Sequence, residues 1–528
     1  MLRGKKKIAI ILAVALIALL FVAYYFPGRV YEKDETEPLY KLCKVWGYAK
    51  YNHPAFYEGS KKWDKEFIPL VIKIRASDND DEVNRILNEW VVSLGKAEGE
   101  REEYPSWIND EFLGNELSKN LKNLHAADKK SVMNSPVFYK EGLPSFAHEE
   151  KYDWNTMRFS DKNWCLLGLF RIWNAIEYFC PDIDNSWDDA LLEAIPRMLT
   201  AAEGKTRTEI SSSYYRTIAE MVSKLDDPQA SVMITDFFYK EEIGKNALPA
   251  VIRREGDSFV LEKVLEPDRP IKEGDVILKL DGKTIPEILE ERRPYIGFKD
   301  DFSNVEKYLY ILLSTNKEYC ETEILRDGEI LDLSVKTKEY YYLNFDLEEE
   351  PKENISYLNA ENADPVSLKN AVTDTSKDGL VIDMRNGISD SFKNLLSCFD
   401  DCDRIYRLMT FKEEEPGQFE IVSKSYDTAP SNFKYQKPVC VLIDRNTAGD
   451  AELLAYIMSK NPQLTLVGEK SAGDAGAYAN ISVPGGGWVS FKGNRFLKSD
   501  GNEIIPIEPD IICHRDDAFR EAVAFIKN

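Results

Sequence analysis

The chain predicts a multidomain α/β protein, with a helical N-terminal region, a small β domain and an α/β core. Three observations predict it. A tryptophan-centred motif occurs twice on helically spaced apolar stripes. Short alternating runs take over from about Asn246. Continuous apolar runs of buried-strand type then alternate with helical stretches through the last third. The 528 residues leave room for three or four domains and a large core. A composition 43% hydrophobic and 30% charged is that of a globular protein. The net charge of −23 argues against nucleic-acid binding, which needs clustered Lys and Arg to displace counterions.

Residues 1–7 form a basic tail with Arg3, Lys5, Lys6 and Lys7, and Ile8 to Phe26 carries no charge. Those 19 residues span roughly 28 Å as a helix, enough to cross a bilayer core. Glu32, Asp34, Glu35 and Glu37 follow, so the positive-inside rule predicts a single-pass anchor with a cytoplasmic N-terminus and the bulk outside. A cleaved signal peptide is the alternative. The run ends in Tyr24-Tyr25-Phe26-Pro27, without small residues for cleavage.

The duplication organises residues 35–96 and 156–240 as two helical modules. Trp46, Tyr51 and Pro54 in the first copy match Trp173, Tyr178 and Pro181 in the second. Each set is followed by Trp-Asp (Trp63-Asp64, Trp187-Asp188) and by Ile-Pro (Ile68-Pro69, Ile195-Pro196). Leu166, Leu169, Phe170 and Trp173 mark a helix that should stop before Pro181. Residues 97–155 read as a polar connecting segment.

Residues 246–340 read as the β domain. Ser258 to Leu265 is a strand, and Gly274-Asp275, a β-branched run and the Asp281-Gly282 turn resemble a PDZ domain, which takes peptides along a sheet edge. No clear Gly-rich carboxylate loop accompanies them. Residues 341–528 form the core, with strands at 379–383, 438–444 and 463–467 and helices at 450–459 and 516–527. The eight cysteines include no C-x-x-C pair, and Cys398 and Cys402 would sit one helical turn apart. With four histidines there is no zinc-type spacing, so neither metal nor cofactor is expected.

Five landmarks stand in order along residues 160–512. They are Leu225-Asp226-Asp227-Pro228-Gln229-Ala230, Asp383-Met384-Arg385-Asn386, Asp444 to Glu452 with Asn446-Thr447-Ala448-Gly449-Asp450, Gly468-Glu469, and Glu508-Pro509-Asp510-Ile511. Together they resemble the S41 serine peptidases, the tail-specific and tricorn-core proteases. The resemblance implies a ClpP/crotonase-like α/β core and peptide or unfolded-protein ligands. It also implies a nucleophilic serine three residues before Glu452, where this chain has Gly449. In the tail-specific branch the base is a lysine 25 residues beyond the serine, and here that position is Asp474. In the tricorn-core branch the base is a histidine that aligns with Gln229. Neither glycine nor glutamine supplies the attacking oxygen or accepts its proton.

On the oxyanion side, Arg385 and Asn386 lead into Gly387, where relatives often carry a Gly-Gly pair, and Asp450 follows the nucleophile position. Thr447, Ser471 and Lys470 are rescue candidates, although neighbours such as Lys470 and Ser471 do not converge on a strand. Asp450, Glu452 and Asp474 also read as carboxylates for acid–base work, or, for the first two, as helix N-terminal charges. The reading is a pseudoprotease that captures extended segments or regulates an active relative, with an active protease or an envelope protein as the candidate partner. Its rivals are an active endopeptidase with a relocated nucleophile and a cell-envelope binding protein that reuses the fold.

Overall fold

The computed structural model describes residues 34–97, 103–124, 133–140, 142–184, 186–225, 227, 230–233, 243–293, 309–339, 354–399, 403–427, 433–502, 504 and 506–528. The proposed anchor at 8–26, Gln229 and Cys402 lie outside them. No helix among the described residues is long and apolar enough to cross a membrane.

Each copy of the repeat is a three-helix unit. The first holds α1 (Thr36–Asn52), α2 (Trp63–Ala76) and α3 (Asp80–Ser93); the second holds α4 (Lys162–Phe179), α5 (Ser186–Ala201) and α6 (Arg207–Val222). The third helix of each starts on the same device. Asn79 caps α3 through the N–H of Glu82, and Thr206 caps α6 through that of Glu209. In both copies the first tryptophan's indole N–H binds the backbone oxygen of the second: Trp46 to Trp63 at 3.3 Å and Trp173 to Trp187 at 2.9 Å.

The two units face each other reciprocally. Gly47 and Asn174 each follow the first tryptophan of their copy, and they meet: a Cβ on Gly47 would lie 1.6 Å from Asn174 Oδ1. Lys44 and Arg171 each precede that tryptophan by two. Lys44 pairs with Asp188 of the second unit at 2.5 Å, and Arg171 with Asp64 of the first at 2.6 Å. Equivalent positions thus exchange equivalent contacts, as across a twofold axis. The segment between the units is less open than its polarity predicts. It forms the helix Asn115–Lys122 and a hairpin, Phe138–Lys140 with Leu143–Ser145, and it buries Ile108, Leu113, Leu117 and Leu121 in the main core.

The β domain is an antiparallel sheet in the order β5-β4-β3-β2-β1. Its strands are β1 (Ala250–Glu255), β2 (Ser258–Val264), β3 (Val276–Leu280), β4 (Tyr319–Arg326) and β5 (Glu329–Lys336). Asp281 and Gly282 both have positive φ, the conformation a tight Asp-Gly turn requires.

The core is a fully parallel sheet in the order β6-β7-β10-β11-β15. Its strands are β6 (Ile355–Asn359), β7 (Gly379–Asp383), β10 (Val439–Ile443), β11 (Leu464–Gly468) and β15 (Ile511–Ile512). β7 and β10 are buried on both faces, which explains their unbroken apolar runs. Helices packed on this sheet include Pro365–Thr373 against β6, α7 (Gly449–Met458) and α8 (Ala518–Lys527). Two further sheets flank it. One is β9 (Phe419–Ser425), β8 (Ile405–Phe411) and β14 (Asn494–Leu497); the other is β12 (Tyr478–Ser482), β13 (Trp488–Lys492) and the strand Ser231–Met233. The seven described cysteines are free thiols, and Cys398 ends a 3-10 helix, Phe392–Cys398.

Candidate active site

The site is built where β10 ends and α7 begins. Asp444 directly follows the strand in a tight loop, and Gly449 opens the helix. The loop is held from within. Asp444 accepts the Asn446 N–H at 2.9 Å, and the Thr447 hydroxyl accepts the Asp444 N–H at 3.1 Å. Gly449 has φ +59, in the left-handed region that favours glycine. A Cβ there would stand 3.1 Å from the Gly476 carbonyl oxygen, a tight contact with backbone. Its N–H donates to the Asp474 carbonyl at 2.9 Å.

Asp474, at the lysine-base position, is buried and engaged on both oxygens. Oδ1 lies 2.5 Å from Lys492 Nζ, and Oδ2 is 2.8 Å from the Tyr478 hydroxyl. The same hydroxyl is 3.0 Å from Asp227, whose other oxygen accepts the Lys492 N–H. Asp182 closes the cluster against Lys492 at 3.2 Å and against Arg495. Burial works against the charge on Lys492, but Asp474, Asp227 and Asp182 outweigh it and hold the ammonium above its ordinary range. A lysine so held stays protonated and is no general base at neutral pH. The sequence offered little sign of this cluster. Its members lie 3 to 313 residues apart, and the sequence pointed only to Asp474 and the Asp227 motif.

Glu452 is fully buried one turn into α7. It accepts the Ser471 hydroxyl at 2.5 Å and the N–H groups of Gly473 and Asp474 at 2.6 Å each. It therefore pins the 471–474 loop beside Gly449. Burial pushes its pKa up to about 7 against those three donors. Ser471 also accepts the Ile507 N–H at 2.6 Å. Its hydroxyl proton goes to a carboxylate and its lone pairs to the backbone, so it has no free trajectory toward a substrate. Lys470 faces the other way, pairing with Glu508 at 2.8 Å on the surface. Thr447 is buried and donates to the Met384 carbonyl at 3.3 Å.

Arg385 is a clamp. Its guanidinium grips the Asp383 carboxylate at 2.9 and 2.5 Å and donates to the Arg515 carbonyl at 2.8 Å. Asn386 leads into Gly387, which has φ +116 and open space around it. Asp450 pairs with Lys393 at 2.9 Å, and Lys393 also meets Asp390 at 3.1 Å. This side of the site therefore carries a cation that sequence reading missed. Asp444 has a pKa raised to about 6, chiefly by burial, with Arg515 3.5 Å away pulling it down. No cluster of His, Cys, Asp and Glu able to hold a metal occurs among the described residues.

The central strand of a parallel sheet thus delivers a turn and then a helix N-terminus, with the pinned 471–474 loop alongside. The sequence profile of peptidase family S41 matches residues 355–513, which span the core sheet from β6 to β15. No curated protein matches the chain. Among solved structures, crystal structures of mature CPAF and of a CPAF S499A mutant each align with a TM-score of 0.50. Their identities are 14% and 15%; 69% of this chain is covered in each case, and 95% and 96% of theirs. The photosystem II D1 C-terminal processing protease covers 66% of this chain and 93% of its own at 16% identity, with a TM-score of 0.38. The core, residues 355–513, belongs to the S41 peptidase family.

Proposed function

We propose that this protein is a non-cleaving member of the S41 family that holds extended peptide or unfolded-protein segments. We further propose that it does so outside the cytoplasm, anchored by residues 8–26. The observation that carries the reading is the state of the nucleophile and base positions. Gly449 offers no side-chain oxygen, and Asp474 is spent in an ionic cluster with Lys492 and Tyr478. The rescue candidates support it further, since Thr447 and Ser471 are buried and hydrogen-bonded and Lys470 points away from both. With nucleophile and base gone, substrate binding can persist while transition-state stabilisation does not.

The test is a repair. Replacing Asp474 by lysine would set a second ammonium against Lys492, so the histidine-type repair, Gly449→Ser with Gln229→His, is the better choice. The serine Cβ must settle 3.1 Å from Gly476 O in a left-handed conformation, at a cost of about 1–2 kcal/mol. A fluorophosphonate probe is expected to leave the parent unlabelled and to label the double variant, with peptide hydrolysis appearing alongside. Serine-inhibitor-sensitive cleavage by the parent would overturn the proposal and favour the relocated-nucleophile endopeptidase.

A further inference from the structure

A second feature adjoins the site. A groove of about 430 Å³ lies between β12 and the hairpin strand Leu143–Ser145. β12 is the outer strand of its sheet and pairs only with β13. Among the described residues, no backbone hydrogen bond is made from the other side of Tyr478–Ser482. An open edge with unmet N–H and C=O groups accepts an added strand. Tyr478 lines the groove with its ring and reaches Asp474 with its hydroxyl, so groove and degenerate site share a wall.

The charge in this groove runs against that of the whole molecule. Lys140 and Lys151 line it, both exposed, and neither has an ion-pair partner among the described residues. The one lining carboxylate, Glu149, is buried and turned inward, where it serves Lys50, Arg171 and the Trp63 indole. Ser145, Asn480 and Ser482 add neutral polar groups. In a chain of net charge −23, this groove presents two uncompensated ammonium groups beside an open strand edge.

We propose that the groove takes an extended acidic peptide segment, which adds to the edge of β12 and sets its carboxylate side chains against Lys140 and Lys151. The inference rests on the peptide-holding reading above and names the ligand class for it. Backbone pairing would give affinity with little regard to sequence, and the two lysines would give the preference for Asp and Glu.

The test measures fluorescence anisotropy of the full chain with three ten-residue peptides of one Thr/Val frame, carrying two Glu, two Gln or two Lys at fixed positions. The Glu peptide is expected to bind at least five-fold more tightly than the Gln peptide, and the Lys peptide more weakly than either. The Lys140→Gln/Lys151→Gln variant is expected to bind the Gln peptide as the parent does and to lose the preference for Glu. Equal binding of Glu and Gln peptides by the parent, or a preference that survives in the variant, would overturn the acidic-segment inference while peptide holding stands. No binding of any peptide would overturn both.

Discussion

Glu452 shows how a buried carboxyl group organises the loop beside it. It receives three hydrogen bonds from the 471–474 loop and lies fully buried. Its pKa is raised to about 7 from an ordinary 4.5, with burial the leading cause. A raised carboxyl is one the folded state protonates more readily than the unfolded chain. Its contribution is therefore fully present below about pH 4.5 and is lost as pH rises through 7. The shift corresponds to something on the order of 3 kcal/mol. Asp444, at about 6, and Glu177, at about 7, titrate in the same sense. Melting curves from pH 5 to 8.5 are expected to show stability falling with pH, and Glu452→Gln is expected to flatten that slope. The amide also misplaces a donor among three donors, so the variant should start less stable at pH 5. An unchanged slope would count against a protonatable Glu452. The sequence marked this glutamate as a family landmark and offered helix-dipole support for its role; its partners, 19 to 22 residues away, are fixed only by the fold.

At the scale of elements, the duplicated units carry two ion pairs at equivalent positions but in unequal surroundings. Arg171 and Asp64 are almost wholly enclosed, and Arg171 also meets Glu149, 3.1 Å away. Lys44 is buried, but its partner Asp188 keeps 38% of its side-chain surface in water. Removing one member of an enclosed pair leaves charge stranded, whereas solvent compensates an exposed one. Arg171→Met is expected to cost about 3–5 kcal/mol. Asp188→Asn is expected to cost nearer 1 kcal/mol. Denaturant unfolding of the two variants measures both, and similar costs would contradict the enclosed character of the first pair. The repeat itself was legible because tryptophans and prolines recur at matching offsets. The mode of contact was not, because reciprocity between Lys44–Asp188 and Arg171–Asp64 joins residues more than 100 positions apart. The core strands β7 and β10 were legible for a related reason: burial on both faces leaves an unbroken apolar signature. β8 and β9 left none, since β9 is largely exposed and its residues show no clean alternation.

For the whole molecule, the question is where such an acidic body is held. Its described surface is built for water, with ion pairs spread over the helices and the β domain. The proposed membrane attachment rests on residues 8–26, a run of 19 uncharged residues behind four cations. On that proposal the segment would insert with its basic flank on the cytoplasmic side. The full chain is expected to sediment with membranes and to resist carbonate extraction, while a chain beginning at Asp34 should stay in the supernatant. External protease should digest the body of the full chain in intact spheroplasts and spare the first seven residues. Release of the full chain by carbonate, or protection of the body from external protease, would defeat the anchored topology. The repaired site and the acidic-peptide groove can both be assayed on the released chain, because Gly449, Asp474, β12, Lys140 and Lys151 all belong to the body beyond residue 34. Catalytic repair, ligand preference and attachment are thus read out by separate experiments.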